Sequence, residues 1–240
     1  MKTCRILLTA LMVLFFTACR EITMSTRSVE GNKNVVTRER TAGNFSAIKV
    51  SAGIDVYLSQ GDRQAITVEA DENLHDYIMT EVRDDVLHVY TDVNIRDAEM
   101  KRVYVALQEV TYIETSSAGD VIGETPVNSD ELRLSASSAG NITLEVHAKT
   151  VNADISSSGD IILSGDADIL RADVSSAGDL KAFDLRVREA GVLTSSAGSA
   201  EINVSEKLTA KASSAGDINY IGDARIIDAY SSSAGGVHKK

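Results

Sequence analysis

The sequence predicts an all-β chain wound as a parallel β-helix, and three observations carry that prediction. A unit of the form Ser-Ser-Ala-Gly-Asp, first complete at Ser116 to Asp120, recurs with small changes at Ser137, Ser156, Ser175, Ser195, Ser213 and Ser232. Its glycines (Gly119, Gly140, Gly159, Gly178, Gly198, Gly216 and Gly235) lie 21, 19, 19, 20, 18 and 19 residues apart, the fixed short period of a solenoid. Between glycines the side chains alternate. Six and eight residues before each glycine the columns are apolar or nearly so (Ile113, Leu134, Val192; Leu132, Val151, Leu208), while five and seven before they are mostly polar (Glu114, Asp154, Asp173; Arg133, Asn152, Arg171). Period two is a half-buried strand, not a helix. Lastly, 18 to 21 residues is too short for a helical crossover unit, which needs about 30. Each unit therefore holds two short strands and forms one rung, pairing with its neighbours at about 4.8 Å.

In chain order, residues 1–18 read as a lipoprotein signal peptide. Lys2 and Arg5 form a charged head, Ile6 to Phe16 an apolar run too short to span a bilayer, and Phe16-Thr17-Ala18-Cys19 resembles the lipobox of bacterial lipoproteins. That resemblance implies an acylated Cys19 and a chain lipid-anchored to the outer membrane of the cell envelope, surface-exposed or periplasmic. With Cys4 lost in the leader, Cys19 is the only cysteine left, so no internal disulfide is expected. Residues 19–43 are polar with mixed charge and are expected to form a flexible tether. Residues 44–110 hold most of the aromatics and several β-rich runs without the short period. They are expected to form irregular longer rungs that cap the N-terminal end, with Leu74 to Val82 as a short helix or loop. Residues 111–240 are the regular repeat, with no comparable cap after Gly235.

Within the repeat, glycine is expected to supply a positive φ at each corner and the preceding alanine to fit an inward corner, with serine hydroxyls bonding along the stack. Asp120, Asn141, Asp160, Asp179, Ser199 and Asp217 are expected to stack as an acidic column. Carboxylates about 5 Å apart repel by roughly 0.8 kcal/mol in water, so the column must face solvent or be bridged. A turn-forming Asp on a solvated edge is the simpler reading. A calcium ladder would need Gly and Asp at both corners of every rung, and only Gly123-Glu124, Gly165-Asp166 and Gly222-Asp223 supply a second one. No metal or cofactor is expected.

The run Ser51-Ala52-Gly53-Ile54-Asp55-Val56-Tyr57-Leu58-Ser59-Gln60-Gly61-Asp62, followed by the repeats, resembles the head GIN domain family of auto-transporter adhesins, found on many Bacteroidetes surface proteins. The triplet Gly53-Ile54-Asp55 departs from Gly-Ile-Asn by one residue, and the match spans roughly Phe45 to Gly236. The resemblance implies a right-handed β-helix and a surface location.

Other chemistries are disfavoured. Removing Lys2 and Arg5 leaves 22 basic against 35 acidic residues, which argues against nucleic acid as a partner. His75, His88, His147 and His238 lack metal-ligand spacing and read as surface or turn residues; the serines sit in a repeated corner, not a nucleophile elbow. The expected function is a non-catalytic binding or structural module whose partner is a protein or glycan, with homo-oligomers possible. Its candidate binding face comprises Asp120, Asp160, Asp179, Asp217, Asp154 and Asp173. The rival is a pectin-lyase-like, polysaccharide-active enzyme, for which Asp154 and Asp173 on adjacent rungs, with Arg133 and Arg171 beside them, are the candidate groups. A chain with no tryptophan and 5% aromatics has few platforms on which to stack sugars, which weighs against that rival.

Overall fold

A computed structural model describes residues 27–240. The leader and Cys19 lie outside the described residues. The fold is an all-β solenoid of about seven turns with rungs near 19 residues.

The first part holds nine strands: β1 (Ser28–Val29), β2 (Val35–Arg40), β3 (Ala47–Val50), β4 (Asp55–Gln60), β5 (Ala65–Asp71), β6 (Ile78–Arg83), β7 (Val86–Thr91), β8 (Asn94–Ile95) and β9 (Lys101–Leu107). The repeat follows as β10 (Tyr112–Thr115), β11 (Asp120–Gly123), β12 (Val127–Ala136), β13 (Asn141–Ile155), β14 (Asp160–Val174), β15 (Asp179–Thr194), β16 (Ser199–Ala212), β17 (Asp217–Ile221), β18 (Ile226–Ser231) and β19 (Gly236–Lys239). Each long strand bends midway. Its first half leaves the Ser-Ser-Ala-Gly corner and its second half runs into the next, so two parallel sheets form, termed here outbound and inbound. Val151, Ala153 and Ile155 point inward from the inbound sheet and Ile142, Leu144 and Val146 from the outbound sheet, all of them buried in one continuous core. The register advances by whole rungs: Ile142 pairs with Ile161, and Val151 with Leu170.

The corner differs from expectation in which residues carry the strain. Gly119 N–H donates to Ser116 O at 3.0 Å, and the two residues between them, Ser117 and Ala118, have φ of 50° and 58°. An i to i+3 bond with positive φ at both central residues is the type I′ turn. At the six later corners the same two positions have positive φ, and the glycine does not. The alanines lie exposed on the outside, not inward. Left-handed backbone costs about 1–2 kcal/mol per non-glycine residue. A backbone ladder offsets it: Ala118 N–H donates to Ser138 O at 3.0 Å, Ala139 to Ser157 O at 3.1 Å, and so on up the stack. Among the described residues no corner serine hydroxyl bonds along the stack, so the expected hydroxyl ladder is in fact one of peptide groups.

Glycine is required for space. A Cβ on Gly159 would lie 2.6 Å from both the carbonyl carbon and the oxygen of Ala136 on the rung below. At the first corner, Ser51 to Ile54, Gly53 stands in the alanine position with φ of 66°, and its N–H donates to Ser117 O at 3.0 Å. Buried Ile54 then takes the place of the packed glycine, above the wide 92–100 loop instead of another tight turn.

The N-terminal end closes by reversing strand direction. β3 and β4 stack in register beneath β10 and β11, and β7 and β9 stack in parallel beneath those. Beyond them β6 runs antiparallel to β7, β5 antiparallel to β9, and β2 antiparallel to β5. Residues 28–40 are thus part of the folded body, which corrects the tether expected over that stretch. Leu74 closes a 3-10 turn, Glu72–Leu74, and β6 follows where a helix or loop was expected.

Two polar groups in the cap fasten β2. Asp71 is fully buried, and its carboxylate accepts N–H bonds from Lys33 at 3.0 Å, Glu99 at 3.1 Å and Met100 at 3.1 Å. Burial pushes its pKa up, but the three backbone donors outweigh that and hold it below the usual carboxylate value. His75, expected at the surface or in a turn, lies in a turn and is buried; its Nε2 lies 3.0 Å from Val36 O, and Arg40 donates to its carbonyl at 2.6 Å. Burial, followed by the charges of Arg38 and Arg40, lowers its pKa and keeps the ring neutral.

Replacing Gly159 with Ala should cost about 2–3 kcal/mol in a denaturant melt, because backbone must move. Gly191→Thr should cost nothing measurable, since a Cβ there meets nothing within 4 Å. The cap should be acid-labile. Both groups have folded pKa values below their unfolded ones, so their stability is fully present above those unfolded values. It is lost as pH falls below about 6.5 for His75 and then below about 4 for Asp71. Hydrogen exchange of residues 35–40 should quicken before that of the repeat, and Asp71→Ala should reproduce the effect at neutral pH.

Candidate binding face

The outward columns of the inbound sheet carry most of the candidate chemistry. Asp154 and Asp173 stand in register on neighbouring strands, and Arg133, Asn152 and Arg171 form the adjacent column. That column then reaches Gly191 and Thr209, while the Asp column continues to Leu193 and Lys211. A hollow of about 550 Å³ opens over Gly191, bounded by Arg171, Asp173, Leu193, Lys207 and Lys211. A second hollow of about 690 Å³ lies toward the cap, over Tyr112, Glu131, Arg133 and Ser135. Asp154 lines both, so the two hollows adjoin on the same face.

The lower end of this sheet is internally satisfied. Lys49 Nζ lies 2.8 Å from Glu114 Oε2, and the Tyr112 hydroxyl donates to the same oxygen at 2.6 Å. Burial raises the Glu114 pKa, but the Lys49 and Tyr112 bonds more than reverse it, and the carboxylate is held below its ordinary value. Burial, then the bond to Glu114, pushes the Tyr112 phenol up, so it stays a donor. By contrast Arg171, Lys207 and Lys211 have no carboxylate within 4 Å among the described residues.

The acidic column lies around the corner, at the start of the outbound strands. Asp55, Asp120, Asn141, Asp160, Asp179, Ser199 and Asp217 pair rung by rung. The six Asp residues grouped as one face in the sequence reading therefore occupy two surfaces, and Asp154 and Asp173 do not join the others. Asp55 extends this column by one rung beyond the sequence expectation, because Ser51 to Asp55 is a corner of the same length as the later ones, with Gly53 and Ile54 in place of alanine and glycine. Asn141 relieves the column by donating to Asp120 Oδ1 at 2.8 Å, and Lys181 reaches Asp160 at 3.3 Å. Burial, then the charge of Asp120, raises the pKa of Asp55. Among the described residues no three His, Cys, Asp or Glu are grouped to hold a metal ion.

A further column at the opposite bend alternates in sign: Asp130, Lys149, Asp168, Arg188, Glu206. Lys149 lies 2.8 Å from Asp130, and Arg188 3.8 Å from Asp168 and 4.0 Å from Glu206. This ladder neutralises itself. Its signal was present as charges alternating at the rung spacing.

Residues 44–224, most of the stacked body, match the family described as "Putative auto-transporter adhesin, head GIN domain". The chain belongs to the head GIN domain family. Solved structures share its fold. An adhesin structure from Bacteroides fragilis, described as putative, superposes with a TM-score of 0.83 at 20% identity, covering 88% of this chain and all of that one. A putative lipid binding protein from Parabacteroides distasonis gives 0.73 at 24%, covering 89% and 100%. A putative adhesin from Parabacteroides merdae gives 0.69 at 23%, covering 89% and 99%. At these identities the likeness is one of fold. No curated protein matches the chain. In this head GIN domain the Gly-Ile-Asp triplet belongs to the first corner of the stack, and its Asp55 pairs with Asp120 on the next rung.

Asp55→Asn removes a charge that burial and Asp120 both disfavour. It should raise the denaturation midpoint at pH 7, and the gain should vanish below about pH 4, where the carboxyl is protonated in both the folded and unfolded states.

Proposed function

We propose that the protein is a non-catalytic adhesin of the cell surface, held in the envelope through acylated Cys19 and presenting the inbound face of its solenoid to a ligand. Family membership supports the adhesin-like role, and the pair of hollows adjoining at Asp154 is the observation that carries the choice of face. The hollows are shallow and built on fixed strands, a surface suited to holding an extended ligand by many weak contacts. Acid–base cleavage would need a bond held between positioned groups and shielded from water. Asp154 and Asp173 stand in register but lie exposed on an open sheet.

Matrix proteins and glycans presented to the full chain, with mass analysis of every glycan recovered, test this reading. Saturable binding with sugars intact is expected. Shortened or unsaturated products would overturn it in favour of a polysaccharide-active enzyme.

A further inference from the structure

The middle column of the inbound face loses its side chain at Gly191, and the space stays open: a Cβ built there would meet nothing within 4 Å. Arg171 and Thr209 flank the gap on the neighbouring strands, and Leu193, 45% exposed, stands beside it on the same strand. Arg171, Lys207 and Lys211 all line this hollow, and none has an ion-pair partner within 4 Å among the described residues. Asp154, Asp173 and Glu189 line the same hollow, with Glu189 lying 3.9 Å from Arg188, so the hollow is formally neutral on a chain of formal net charge −11 whose overall field repels anions, and its three cations are free of close carboxylates. Elsewhere on the same stack Lys149 and Arg188 are matched by carboxylates on adjoining rungs.

We propose that the Gly191 hollow seats the anionic group of an acidic polysaccharide, a carboxylate or a sulfate, with Arg171 as its main contact. This rests on the reading of the inbound face as the binding surface. The guanidinium fork matches either anion in bidentate fashion, and Lys207 and Lys211 add point charges. Asp154, Asp173 and Thr209 then face the hydroxyls of neighbouring sugars, and Leu193 offers apolar surface to a ring face. The backbone decides between a glycan and an acidic peptide. β14, β15 and β16 are interior strands whose peptide groups pair with each other, so this face has no free edge to which a peptide strand could add. A ligand here is read through side chains alone, which suits rings bearing hydroxyls and acids.

The test measures binding of the immobilised full chain to short oligomers of hyaluronan, chondroitin sulfate and neutral dextran, and to polyglutamate, for the wild type, Gly191→Thr, Arg171→Gln and Asp173→Asn. The acidic glycans should bind saturably. Gly191→Thr, which puts a side chain into the gap between Arg171 and Thr209, and Arg171→Gln should each weaken them by about tenfold or more with the melting temperature unchanged. A preference for chondroitin sulfate would assign the seat to sulfate, and parity with hyaluronan to carboxylate. Absence of acidic-glycan binding, or acidic-glycan binding that Gly191→Thr leaves intact, would overturn the proposal, as would polyglutamate binding equally well. Dextran binding that Gly191→Thr and Asp173→Asn abolish but Arg171→Gln does not would also overturn the anionic seat, while leaving the inbound face as the binding surface. Glycan binding that survives all three substitutions would remove the inbound-face reading itself.

Discussion

The structure depends on how closely one corner can sit on the next. With Gly159 only 2.6 Å from Ala136 by the position its Cβ would take, peptide groups of successive rungs touch where two side chains could not fit. That contact places each alanine N–H under the serine carbonyl of the following rung, and the resulting ladder holds Ser and Ala in a left-handed conformation that neither would choose alone. Strain and support are the same feature: the turn is unfavourable in an isolated unit and tolerable only in a stack. Such coupling between neighbours makes the array cooperative, and it explains why the end without a preceding tight corner needs a different device. There the chain reverses direction and buries Asp71 among three N–H donors, so its carboxylate ties the segment entering β2, at Lys33, to the Glu99–Met100 segment.

Once the corner fixes the register, surface chemistry is laid out in columns with one residue per rung, and each column meets its electrostatics differently. At the opposite bend, signs alternate and neighbours neutralise each other. In the acidic column, Asn141, Ser199 and Lys181 interrupt like charges that a strict repeat would have stacked without relief. On the inbound face near Gly191, Arg171, Lys207 and Lys211 share one hollow with Asp154, Asp173 and Glu189, yet none of the three cations lies within 4 Å of a carboxylate among the described residues. Charges left unpaired in two columns packed this regularly are available to something outside the chain.

The stacking and the inward columns were legible in the sequence because alternation and a 19-residue period repeat often enough to outweigh individual exceptions such as Ala153 or Thr194. The role of glycine was not. A position that needs positive φ and one that merely has no room both read as glycine, and only the rung below tells them apart. β2 was hidden for a different reason. Val35 to Arg40 is an exposed edge strand with no buried alternation, and its anchors Asp71 and His75 lie more than 30 residues away. The candidate face was half legible: Asp154, Asp173, Arg133 and Arg171 share a surface as expected, but grouping all the Asp columns ignored that the corner turns half of them onto the other sheet. Gly191 looked like a lapse in a polar column, and its meaning lies in the space it leaves.

That space survives an irregularity in the same rung. The unit ending at Gly198 is 20 residues long, and the extra length is absorbed between Ala182 and Glu189, at the bend, where the pairing of β15 with β16 shifts twice. From Glu189 to Thr194 the register is unbroken, so Arg171, Gly191 and Thr209 remain aligned across three strands. A bulge on the inbound strand itself would have turned Gly191 inward and a core residue outward. Placing it at the bend leaves the core column Ala190–Val192 buried and the hollow pointing to solvent. The tight corner tolerates no insertion, since its glycine has no spare volume. The opposite bend does tolerate one, as it is built of exposed, mutually neutralising charges. Length variation among rungs is therefore channelled to one edge of the solenoid, and the inbound face keeps its alignment.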